Sequence, residues 1–78
     1  EMLQVESGEA MRCARELALQ EAIFAGGSSG AALWAVREVA RRSPTGTRIA
    51  TILPDSGYRY LSTIYDDGWM QEQGFLPA

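Results

Sequence analysis

Ala10, Met11, Ala14, Leu17 and Ala18 recur at intervals of three and four, while Arg12, Arg15, Glu16 and Gln20 lie off that stripe. This spacing predicts an amphipathic helix of about 14 residues. Ser7 is placed to act as its N-cap, and Glu9 falls in the first turn, where a carboxylate meets the positive helix pole. A second apolar stretch runs through Ala31, Ala32, Leu33, Trp34, Ala35 and Val36 and continues at Val39 and Ala40. Its apolar residues occupy more than one face, which predicts a deeply buried helix. Ser43-Pro44-Thr45-Gly46 stops it.

Three runs read as strands. Residues 2–5 form a short one, and Ile23-Phe24-Ala25 a second, ending at Gly26-Gly27. Residues 48–53 are nearly all apolar and partly β-branched, the pattern of an interior parallel strand covered on both faces. Pro54-Asp55-Ser56-Gly57 then signals a turn. Residues 58–65 are amphipathic and compatible with either element type. Asp66-Asp67 starts a final short helix carrying Trp69, Met70 and Gln71 and ended by Gly74, with Trp69 and Phe75 as packing anchors. The alternation of strands and helices predicts the α/β class: a three-layer fragment of a mostly parallel sheet with flanking helices. Glu1 opens directly on a strand-like run, which suggests a piece of something longer.

Composition narrows the chemistry. The chain has 78 residues, so one small domain at most, yet 46% of it is hydrophobic. All seven cations are Arg, with no Lys and no His. Imidazole metal sites, Ser-His and Cys-His nucleophile pairs and any lysine-based covalent chemistry are therefore excluded from these 78 residues. A net charge of −3 argues against nucleic acid as a partner, and Arg41-Arg42 makes a solvated helix end rather than a basic patch. Cys13 is single, so no internal disulfide or cysteine-based zinc site can form, and its place within a helix fits an inert structural thiol. Asp66-Asp67 fits a helix start better than a metal site, because adjacent carboxylates point in different directions. No run approaches the ~20 apolar residues of a membrane span. A reduced, cytoplasmic setting without membrane attachment is the expectation.

Two segments share one architecture, an apolar run opening into a Gly- and Ser-containing turn: Gly26-Gly27-Ser28-Ser29-Gly30 and Pro54-Asp55-Ser56-Gly57. In open parallel sheets, ligands sit beyond such strand ends. The first also opens a helix, whose free amides favour an anion or an electron-rich acceptor. An ordinary glycine turn with Ser28 or Ser29 as N-cap, and an ordinary Asp/Ser turn at residues 54–57, fit the same residues.

Longer stretches bear a resemblance. EAIFAGGSSGAAL, residues 21–33, resembles the G-x-S-S/T-G-A segment of cysteine synthases and cystathionine β-synthases. Ile52-Leu53-Pro54-Asp55-Ser56-Gly57, followed by Arg59-Tyr60-Leu61-Ser62-Thr63, is similar to the family's LP-x-S-G-x-RYLST stretch. Asp66-Asp67-Gly68-Trp69-Met70, closing with Gly74-Phe75-Leu76, resembles the ending of the cystathionine β-synthase-like branch. Each motif alone is weak, and three in order over nearly the whole chain are specific.

The resemblance implies a pyridoxal-phosphate enzyme of fold type II, the tryptophan-synthase-β type. Residues 1–78 would be the C-terminal part of its large cofactor domain. Ser28 would face the pyridine nitrogen, Gly26 and Gly27 would let the backbone pass close to the ring, and Pro54, Asp55 and Ser56 would border the nitrogen edge. The implied reaction joins serine or O-acylserine to a sulfur nucleophile by β-elimination and addition, in a homodimer. The family's cofactor lysine, substrate-carboxylate loop and phosphate loop have no counterpart here, so the chain contains no catalytic residue and should be inactive without the rest of the enzyme. Tyr58 stands where the family usually has an acidic residue. A non-catalytic assembly or regulatory module of the same origin, or a relative of diaminopropionate synthases or threonine dehydratases, fits the same motifs.

Overall fold

In a computed structural model describing residues 2–77, the first stripe folds into α1, Ser7–Glu21. Ser7 is the first helical residue rather than the cap. Glu6 holds the N-cap position and makes no side-chain capping bond. The helix buries Ala10, Cys13, Ala14 and Leu17 on one face. Gly8, Arg12 and Arg15, spaced by four and three, occupy another.

α2 spans Gly27–Arg41 and crosses α1 at its small residues. A Cβ on Gly30 would fall on the carbonyl oxygen of Ala10 and lie 2.9 Å from the amide nitrogen of Ala14. Only glycine permits this approach. Arg37 of α2 reaches back to Glu16 at 2.6 Å and to the Cys13 sulfur at 3.7 Å. The deep burial expected of α2 is not found: only Ser29 and Gly30 are buried, and residues 31–38 are half-exposed. Its other apolar faces have too little chain around them to be covered.

The C-terminal third wraps onto the remaining face of α1 through a 3₁₀ turn, Gly57–Tyr60, and a short helix α3, Asp67–Glu72. Arg15 donates to the Ile64 carbonyl at 2.9 Å and pairs with Asp67 at 2.5 Å. Arg12 donates to the Phe75 carbonyl, also at 2.9 Å. Ile64 and Met70 complete the core, and Trp69 meets the Phe75 ring at 6.0 Å. Asp66 caps α3 by accepting from the Trp69 amide at 2.8 Å, and Arg41-Arg42 ends α2.

The α/β expectation is overturned. Among the described residues there is no strand and no sheet, only one isolated antiparallel bridge between Ala25 and Ser56. Residues 2–5 and 48–53 carry no regular secondary structure, and among the described residues neither has a ladder partner. A strand is stable only where a neighbour accepts and donates its backbone hydrogen bonds. Apolar, β-branched composition supplies the propensity without that neighbour. The expectation attached to Glu1 lies outside the described residues.

Candidate functional site

The bridge brings the two Gly/Ser segments together. Gly26 N donates to the Asp55 carbonyl at 3.3 Å and Gly57 N to the Phe24 carbonyl at 3.1 Å. The close approach depends on glycine at both positions. A Cβ on Gly26 would run into the Asp55 carboxylate and lie 2.5 Å from the Tyr60 ring, and one on Gly57 would lie 2.5 Å from the Phe24 ring. Residues 24–26 thus meet residues 55–57 through a two-bond contact rather than through neighbouring strands of a sheet.

Most of the first segment is helix, not loop. Gly26 is the N-cap of α2, with no side-chain cap, and Gly27, Ser28, Ser29 and Gly30 make the first turn. Gly30 N bonds the Gly26 carbonyl at 3.1 Å, while the amides of Gly27, Ser28 and Ser29 have no acceptor among the described residues. The two serines differ sharply. Ser28 is exposed, whereas Ser29 is fully buried with an unpartnered hydroxyl. Three free amides, an exposed hydroxyl and the positive helix pole suit a hydrogen-bond acceptor or a partial negative charge.

The second segment is largely occupied by its own contacts. Pro54 is exposed. Asp55 accepts from the Tyr60 hydroxyl at 2.7 Å through one oxygen, and its other oxygen is buried without a partner. That hydrogen bond to Asp55 raises the Tyr60 pKa, since a phenolate would face a carboxylate. The Ser56 hydroxyl caps the 3₁₀ turn by accepting from Tyr58 N at 3.2 Å. Gly27 and Ser28 therefore offer acceptor-free amides and an exposed hydroxyl, while buried Gly26 is packed against Asp55 and Tyr60, and Asp55 and Ser56 brace the turn. At its nitrogen edge a pyridine ring needs one hydrogen-bond donor and an unobstructed approach, so the residues present fit that edge.

Two residues that sequence reasoning left aside contribute to this region. Tyr60 holds Asp55, and the Tyr65 hydroxyl shares its one proton between the carbonyls of Ala25 and, at 3.3 Å, Ala14. Both lie in residues 58–65, whose period favours neither helix nor strand. Their polar tips at i and i+5 were the signal available. Among the described residues no group of His, Cys, Asp and Glu could hold a metal ion, and no helix is long and apolar enough to cross a membrane.

No family model matches the chain. Individual proteins do. It is 42% identical over 73 residues to the N-(2-amino-2-carboxyethyl)-L-glutamate synthase of Cupriavidus metallidurans, a match covering 90% of this chain and 21% of that protein. It is 40% identical over 74 residues to the cystathionine β-synthase of Apis mellifera, covering 95% and 15%. It is 51% identical over 63 residues to the cysteine synthase of Aquifex aeolicus, covering 76% and 19%. The chain thus spans about a fifth or less of the length of these relatives. On these identities, carried through both Gly/Ser segments that the bridge holds together, the chain belongs to the pyridoxal-phosphate-dependent, fold type II family of cysteine synthases and cystathionine β-synthases.

Proposed function

We propose that this chain supplies the ring-nitrogen side of the cofactor site of a β-replacement synthase, as the C-terminal part of its large cofactor domain. The observation that carries the reading is the exposed Ser28 hydroxyl on the first turn of α2, beside the acceptor-free amides of Gly27, Ser28 and Ser29. When bound, pyridoxal phosphate supplies an electron sink for chemistry at the substrate amino acid. Ser28 would donate a hydrogen bond from its hydroxyl to the pyridine nitrogen. A neutral hydroxyl does not keep that nitrogen protonated as a carboxylate would, so it moderates the sink and suits loss of a β-substituent followed by addition of a nucleophile. Pro54, Asp55 and Ser56 would border the same edge, with Asp55 and Ser56 acting through the turn they brace.

The substrates of this reading are serine or O-acylserine and a sulfur nucleophile, in a cytoplasmic homodimer. With no Lys in its 78 residues, the chain has no side-chain amine to anchor the cofactor and is expected to be inactive alone. A second reading, an amine nucleophile in place of sulfur, is favoured by the names of two relatives at 42% and 43% identity, both N-(2-amino-2-carboxyethyl)-L-glutamate synthases. Assaying the full-length protein with sulfide, homocysteine and glutamate as alternative acceptors separates the two. Turnover with none of them would favour a non-catalytic module. In the same protein, Ser28→Asp is expected to shift the cofactor absorption band and slow β-replacement at least about tenfold, or ~1.4 kcal/mol in the barrier. An unchanged spectrum and rate would remove Ser28 from the ring nitrogen.

A further inference from the structure

Among the described residues, two backbone hydrogen bonds join the turn at residues 54–57 to the chain entering α2, one at Gly26 and one at Phe24. That is little to fix the start of α2, and four other contacts converge on the same place from a single side chain. The Tyr65 hydroxyl shares its one proton between the carbonyl of Ala25, the residue just before the Gly26 cap, and, in a longer bond, the carbonyl of Ala14 in α1. Its ring packs on Phe24 at 4.7 Å between centroids. Its edge is also one of the atoms that a Cβ on Gly57 would meet, at 2.9 Å. Tyr65 therefore joins α1, the segment entering α2 and the turn at residues 54–57. Burial raises its pKa and outweighs the opposing pull of the Ala25 backbone and the Arg15 charge, so the hydroxyl keeps its proton and remains a donor at neutral pH.

We infer that Tyr65 is a positioning residue for the cofactor site: by tying the Ala25 carbonyl to α1 it sets where the first turn of α2 presents Ser28. The inference rests on the cofactor reading above. A hydroxyl two residues from the cap can be misplaced by a small rotation at the helix entry. Hydrogen-bond geometry weakens steeply once donor angles close.

The test is a double-variant cycle in the full-length protein: Tyr65→Phe, Ser28→Ala and the pair, read by pyridoxal-phosphate affinity and by the absorption of the bound cofactor. Tyr65→Phe keeps the ring and its packing on Phe24, and circular dichroism checks that each variant is folded. Loss of the hydroxyl is expected to weaken cofactor binding about three- to tenfold and to shift the absorption band. On the Ser28→Ala background the same change is expected to have no further effect, since residues acting through one another are not additive. Tyr58→Phe, on the other side of the Phe24 ring, serves as the control and should leave both readouts unchanged. Equal effects of Tyr65→Phe on both backgrounds, or none on either, would overturn the positioning role while leaving Ser28 in place. A Ser28→Ala variant with unaltered affinity and spectrum would instead overturn the cofactor reading itself.

Discussion

Ala22 follows α1 at φ 56°, the left-handed conformation that glycine adopts without cost. Its amide bonds the Ala18 carbonyl at 3.1 Å and the Ile23 amide bonds Leu17 at 3.3 Å, so the helix end is fully formed despite the alanine. Ala22→Gly should stabilise the chain by about 0.5–1 kcal/mol, raising the unfolding midpoint by a few degrees. A lowered midpoint in a thermal melt would mean that Ala22 is not strained. Cys13 makes the opposite kind of case. Burial pushes its thiol above the ordinary range, and this outweighs the pull of the Arg37 guanidinium, so the neutral form is held in the folded state. The stability this contributes is fully present below the thiol's unfolded pKa and is lost as pH rises toward the folded value. Between about pH 8 and 10, the chain should lose more stability than a Cys13→Ala variant. Parallel pH profiles of the two melting curves would contradict the raised thiol. The sequence marks Cys13 as an inert core thiol, and the motif match singles out Ser28, but no hydrophobic pattern tells that Ser28 is exposed and Ser29 buried. That difference arises from the packing of α2 against Ala10 and Ala14, which no local pattern encodes.

Among the elements, α1 was legible because its apolar spacing and its off-stripe charges agree, and α3 because Asp66 is a strong capping residue. The start of α2 is read two or three residues late, with Ser28 or Ser29 as cap in place of Gly26, since a Gly-Gly-Ser-Ser-Gly run carries turn propensity and becomes helical where Gly30 can nest against α1. α3 is the element most dependent on one side chain. Six residues are too few for a helix to persist by propensity, so the Asp66 cap and the Arg15 pair must hold it. Asp66→Ala is expected to cost about 1 kcal/mol, and Asp66→Asn much less. The loss should appear as faster amide exchange in Asp67–Glu72 with little change in α1. Uniform acceleration across the chain would show that α3 does not open independently.

At the scale of the whole molecule, the chain extends 39 × 21 × 21 Å with a radius of gyration of 13.0 Å, against about 11.5 Å for a compact domain of this length. The excess fits the unpaired segment at residues 48–53, which leaves Ile52 80% exposed and Ile49 38% exposed. This same segment was the strongest strand signal in the sequence. The signal measures suitability for a covered, paired position, and the 78 residues do not provide one. An apolar, β-branched run with free backbone groups is instead a template for pairing with another chain. Ile52→Asp should therefore leave the unfolding midpoint of the isolated chain nearly unchanged, within about 0.5 kcal/mol, because the side chain is in water already. It should also raise the concentration at which light scattering detects association, since a charge interrupts the apolar run. A large fall in the midpoint would mean that residues 48–53 pack against the helices, and unchanged association would place the sticky surface elsewhere. One such surface is the half-exposed face of α2 around Leu33, Trp34 and Val36.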